Sequence, residues 1–242
     1  MLRFAAILFA VTAPAALAAP PARAVKEDNA LYSFSYTYPA AAGTIPGLRA
    51  SLDADLATRL AKLQKDARTD AAEAKAGGFP YRKYDWTQSW LVVSNLPGWL
   101  SLSATYYSYT GGAHGMTWAG SMLWDRRAAR ARSPLDLFVS RVALAKAIRA
   151  PFCDELDRQR AKKRGHAVTR TAADDFDACI DPTAQTVILG SRGGQGFDRL
   201  GILVAPYSAG PYAEGTYEVT VPVTPAVLAA VKPAFRASFD VR

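Results

Sequence analysis

The sequence predicts an α+β protein of two modules, in which antiparallel sheets carry packed helices. Three observations predict it. Runs of apolar and polar residues alternate over strand lengths, two long stretches carry apolar residues every three or four positions, and Gly- and Pro-rich breaks separate them.

Taken in order, Met1-Leu2-Arg3 supplies a positive start, Phe4 to Val11 an apolar run, and Ala16-Leu17-Ala18 a small-x-small cleavage signal. Residues 1–18 therefore read as a secretory signal peptide, too short for a membrane anchor. Pro20 to Asn29 is a polar lead-in expected to be mobile. Tyr32, Phe34, Tyr36 and Tyr38 line one face of a strand that ends at Pro39. A helix is expected over 47–76, because Leu48, Leu52, Leu56, Leu60 and Leu63 fall on one face and Gly77-Gly78 stops it. An antiparallel meander over 84–94, 99–109 and 116–125 follows, its second turn formed by Thr110 to Gly115. Ser133-Pro134 caps a second helix to about Arg164, which Pro151 should kink or split. Short buried strands at 186–189, 200–205 and 217–222, then a helix capped by Thr224, complete the chain. The leader apart, the expected divisions are 26–125 and 133–237.

The chain carries 29 Lys and Arg against 21 Asp and Glu, a formal charge of +8. Two clusters hold much of it, at 126–132 and 158–164, and each reads as a solvated charged face or as contacts for a polyanion. Behind an export signal the available polyanions are lipid head groups and cell-envelope glycans, not nucleic acid, and the expected location is periplasmic or secreted. After the leader, no stretch approaches the ~20 apolar residues of a membrane span. In an oxidising compartment the two cysteines, Cys153 and Cys179, read as a disulfide. Closing that loop would stabilise the fold by ~3 kcal/mol on chain-entropy reasoning.

Residues 107–114, Tyr-Ser-Tyr-Thr-Gly-Gly-Ala-His, together with Leu135-Asp136-Leu137-Phe138 and the Tyr207 to Pro211 segment, carry a family resemblance. They resemble the extracytoplasmic region of RsiV-type anti-sigma factors and the region N-terminal to the catalytic domain of PdaC-type peptidoglycan deacetylases. The resemblance covers about residues 30–235. It implies a two-module fold of unknown function outside the cytoplasm, with a PdaC-like module before a RsiV-like one. Deacetylation belongs to a separate catalytic domain and is not implied. Since RsiV binds lysozyme through this region, a protein ligand is implied, although two basic proteins would repel at a distance.

His114, one of two histidines, stands in the Gly-rich turn and is the first residue to consider for chemistry. It suits a general base, a metal ligand, a ligand-reading donor, or a purely structural clasp on strand-end carbonyls. His166 lies in a basic polar stretch and reads as solvated. No nucleophile motif accompanies His114, and two histidines without helically spaced carboxylates make a poor catalytic metal set. Asp174-Asp175-Phe176-Asp177 lacks the Gly and distal Glu of a calcium loop. No cofactor is expected. The leading expectation is a non-enzymatic binding or sensing module for an anionic envelope polymer or a protein, read by Gly111, Gly112, His114, Arg127 and Arg130. The alternative is a small hydrolase or transferase on envelope glycan, with His114 as base and Asp125 or Glu214 assisting.

Overall fold

A computed structural model of the protein describes residues 21–171 and 176–241. The expected leader and Asp174-Asp175 lie outside the described residues. Six strands form the first sheet in sequence order: β1 (Pro21–Asp28), β2 (Tyr32–Pro39), β3 (Tyr84–Asn95), β4 (Trp99–Tyr109), β5 (Met116–Asp125) and β6 (Arg130–Arg132). Between β2 and β3 the chain makes one helical turn, α1 (Ala40–Gly43), and then the 32-residue helix α2 (Pro46–Gly77). The second unit has α3 (Arg141–Arg164), a three-stranded sheet of β7 (Thr186–Gly190), β8 (Arg199–Val204) and β9 (Tyr217–Pro222), and α4 (Pro225–Ala230).

The α+β class is as the sequence predicts, with two departures. The lead-in is not loose chain: β1 pairs antiparallel with β2 from Arg23↔Tyr38 to Asp28↔Ser33. The sheet is also not wholly antiparallel, because β2 and β3 run parallel from Tyr32↔Tyr84 to Thr37↔Ser89. A helix as long as α2 carries the chain back to the start of the sheet, which is the connection a parallel pair requires. The other strand pairs are antiparallel.

Alternation assigns the faces. Tyr32, Phe34, Tyr36 and Tyr38 are buried with Leu48, Leu52, Leu56 and Leu63 of α2, joined by Tyr84, Trp90, Leu100, Leu102 and Trp124. Asp55 anchors this seam by accepting from Tyr36 Oη at 3.0 Å and Gln88 Nε2 at 2.8 Å. The opposite face of the first sheet meets the second unit. Leu96, Trp99 and Leu123 share one buried cluster with Leu144, Ile148, Phe152 and Leu156 of α3 and with Leu189, Leu200 and Val219. Helix α2 ends as its glycines predict, at Gly78 with φ of 70°. Pro151 does not interrupt α3, which is continuous to Arg164. The break falls earlier, where Ser133 caps a short 3-10 turn (Pro134–Leu137) and Ser140 caps α3 itself. Cys153 and Cys179 are disulfide-bonded, with Cα atoms 5.5 Å apart.

Candidate functional site

The β4–β5 hairpin is in register from Trp99↔Asp125 to Ser108↔Met116, and its tip is closed from both sides. Gly111 takes φ of 90°, a conformation that disfavours any side chain. Tyr109 Oη donates to Gly112 O at 3.1 Å, and Arg82 Nη1 donates to Gly111 O and Gly112 O at 3.3 and 3.1 Å. Gly115 is the tightest point: a Cβ there would lie 2.3 Å from the Tyr107 ring.

His114 crosses to the second unit. Its Nδ1 lies 2.9 Å from Gly115 O, which can only accept, so Nδ1 carries the proton and Nε2 is left to accept from Tyr207 Oη at 3.3 Å. The imidazole stacks on the Tyr212 ring with centroids 4.0 Å apart, and Tyr212 Oη donates to the same Gly115 O at 3.0 Å. Tyr207, 47% exposed, holds φ of 68°, a left-handed conformation uncommon for a bulky side chain. His114, Tyr207 and Tyr212 thus form one exposed stack where the hairpin meets the 205–215 loop.

That loop is held by the basic end of α3, a role that charge alone did not reveal. Arg160, expected among solvated cations, is fully buried. Its Nε donates to Ala209 O at 2.9 Å, and its Nη1 donates to Asp157 Oδ1 and Ala178 O, each at 3.0 Å. Arg164 binds Glu214 at 2.7 Å and also Asp177, and Lys163 Nζ lies 3.9 Å from the Tyr217 ring centroid. Burial alone would raise the Glu214 carboxyl, but hydrogen bonds from Arg164 and Tyr217 and the Arg164 and Arg160 charges hold it below its usual value. Burial, then the Glu214 carboxylate, push Tyr217 up to about 12. Burial pushes the Lys163 ammonium down. The signal was available in the spacing: Leu144, Ile148, Phe152, Leu156 and Arg160 recur every four residues, so Arg160 continues the apolar stripe of α3.

The other cluster is also partly engaged. Arg132 pairs with buried Asp125 at 2.8 Å, and Arg126 Nη2 donates to Asn95 Oδ1 at 2.7 Å. Arg127 and Arg130 are exposed, on the turn after β5 and at the start of β6. They lie a full strand away from His114, on the order of 30 Å at ~3.4 Å per residue. The structure therefore gathers Gly111, Gly112 and His114, and leaves Arg127 and Arg130 at the far end. Asp125 is equally distant, and Glu214 is committed to Arg164 and Tyr217, so neither stands as a partner to the His114 ring. Among the described residues no group of three or more His, Cys, Asp or Glu could hold a metal ion, and no helix is long and apolar enough to cross a membrane.

A cleft of about 540 Å³ opens on the α2 side of the same hairpin. Phe79, Tyr81, Arg82 and Gly111 stand at one end of it, and Asp70 and Glu73 of α2 line it. Sequence reading missed this region, since 79–83 follows the helix stop and carries no motif.

Residues 25–117 match the model of the family described as deacetylase PdaC. No curated protein matches the chain. Among solved structures, a DUF3298 family protein of Pseudomonas aeruginosa PAO1 is similar at 19% identity and a TM-score of 0.51, over 92% of this chain and 98% of that one. A DUF3298 family member of Bacteroides fragilis NCTC 9343 is similar at 19% identity and the same TM-score, over 83% of this chain and 88% of that one. Residues 25–117 are thus similar to the PdaC family, and over most of its length the chain has the fold of the DUF3298 family proteins.

Proposed function

We propose that the chain is an exported, non-enzymatic binding or sensing module of the cell envelope, reading its ligand with the end where the β4–β5 hairpin meets the 205–215 loop. The observation that carries this reading is the exposed His114–Tyr207–Tyr212 stack, assembled from segments about a hundred residues apart. Aromatic rings with polar tips present a large contact area at low conformational cost, which suits recognition. The strained backbone at Tyr207 fits the same role, since such conformations persist where surrounding contacts over-determine them. As a general base the ring would lack the assisting carboxylates, since Asp125 is held by Arg132 at the far end of β5 and Glu214 is committed to Arg164 and Tyr217. The anionic-polymer ligand retains exposed Arg127 and Arg130, away from this stack, as its support.

Retention of components from an envelope extract on immobilised protein tests the reading, at low salt and at 1 M, where screening contracts to ~3 Å. Salt-insensitive retention lost in His114→Ala and Tyr207→Ala is expected. Retention that collapses with salt and follows charge reversal at Arg127 and Arg130 would replace the hairpin surface with a polyanion contact. Recovery of a chemically altered glycan, dependent on His114, would make the protein an enzyme and overturn the reading.

A further inference from the structure

On the α2 side of the first sheet, the 540 Å³ cleft adjoins a second of about 220 Å³, and the two share Tyr84 and Thr110 in their walls. Together they run along one stripe of α2, from Arg59 to Glu73, which at ~1.5 Å per residue is roughly 20 Å of groove. Its walls alternate between rings and charges. Phe79 is 57% exposed at one end, Tyr81 stands beside it, and Trp86 lines the other end with Arg59 5.2 Å above its ring. The indole N–H of Trp86 is buried and has no acceptor among the described residues.

The charges balance. Arg59, Lys62 and Arg82 supply three positive groups, and Asp66, Asp70 and Glu73 three negative ones, so the groove has no net sign. Several are already tied together: Lys62 to Asp66 at 2.7 Å, Tyr84 to Asp70, and Arg82 to the hairpin carbonyls. Such a surface offers no field to gather a polyanion or a polycation. It offers many fixed donors and acceptors at the edges of aromatic plates.

We infer that this groove binds an uncharged, linear oligosaccharide. A sugar ring has an apolar C–H face that lies on an aromatic plate and a rim of hydroxyls that both donate and accept. Phe79 and Tyr81 provide plates, with Arg59 already covering Trp86, while Asp70 and Glu73 accept and Arg82 donates. An extended peptide fits less well. The walls come from inner strands β3 and β4 and from a helix, so no free strand edge is present to pair with a peptide backbone.

This goes beyond the reading of the His114 surface, which lies on the opposite face of the sheet, and the two fail separately. The test is titration of the protein with β-1,4-linked glucose and N-acetylglucosamine hexamers, followed by intrinsic tryptophan fluorescence and by calorimetry. Sulfated dextran and an unstructured peptide serve as the comparison probes. Binding of a neutral hexamer that survives 1 M salt is expected. It should weaken roughly tenfold or more in Phe79→Ala and in Glu73→Gln, since the loss of one stacking plate or one acceptor is felt at that scale. Both positions are exposed, so their melting temperatures should match the parent. Failure of both neutral hexamers to bind at millimolar concentration overturns the inference, as does binding unaffected by either substitution, or preference for the sulfated polymer or the peptide. Retention dependent on His114 that persists without hexamer binding would sink this inference alone. Hexamer binding with no effect of His114→Ala on envelope retention would sink the other alone.

Discussion

Arg160→Met isolates what a buried cation contributes to joining the 205–215 loop to α3. The native side chain is fully buried and donates to Ala209 O, Ala178 O and Asp157, while its Nη2 finds no partner. Methionine matches the stem and fills much of the volume, so the cavity contribution is small. Ala178 O loses its donor, at about 1–3 kcal/mol if no water replaces it, and Ala209 O keeps only the 3.5 Å contact from Arg164 Nη2. Asp157 is not orphaned, because Arg170 lies 2.5 Å away. A net loss of about 3 kcal/mol follows, near the lower end of what breaking a buried pair costs. In urea unfolding this should lower the midpoint by roughly 1 M at unchanged slope, for a slope of about 3 kcal/mol/M. Arg158→Met is the control, since Arg158 is mostly exposed and pairs with Glu155 on the helix surface, and its midpoint should hardly move. A midpoint for Arg160→Met within about 0.3 M of the parent, at equal slope, would refute the reasoning.

Gly115→Ala should destabilise by about 1–3 kcal/mol through overpacking against the Tyr107 ring. In a Tyr107→Ala background the same change should cost little, a coupling that thermal melts of the four variants would measure. Glu214, held below its usual 4.5 in the folded protein, contributes stability that is complete above the unfolded value and lost as pH falls through the lower folded one. Melting temperature should therefore fall more steeply below about pH 4.5 in the parent than in Glu214→Gln; equal slopes would show that the Arg164 pairing carries no such linkage.

The elements most legible from sequence are those whose side chains face two different environments. The tyrosine alternation of β2 and the leucine spacing of α2 encode burial directly, and both are found where they were expected. Strand β1 was not legible because an edge strand is held mainly by its backbone, and the side chains of Arg23, Ala24, Lys26 and Asp28 stay exposed. The parallel β2–β3 pairing was not legible either. Alternation states which face is buried but not which neighbour or direction supplies the hydrogen bonds. The hairpin and His114 were readable from Gly111 and Gly112, whereas Tyr207 and Tyr212 join them only through a contact across about a hundred residues. The groove residues from Phe79 to Arg82 were unreadable for a related reason, since a cleft is a property of several elements together.

The seam between the two sheets bears on how the molecule can be divided. Leu96, Trp99 and Leu123 belong by connectivity to the first sheet but are buried in the core of the second unit. Trp99 Nε1 donates to Ser238 Oγ at 2.9 Å, Ser94 Oγ to Leu189 O at 3.0 Å, and Thr186 Oγ1 to Ala119 O at 2.9 Å. Severing the chain between β5 and α3 would leave a tryptophan and two leucines facing water on one fragment and an open core on the other. The first sheet is therefore expected not to fold as a unit in its own right. Its cooperativity is shared with the rest of the chain, and heat or denaturant should dismantle both sheets in a single transition.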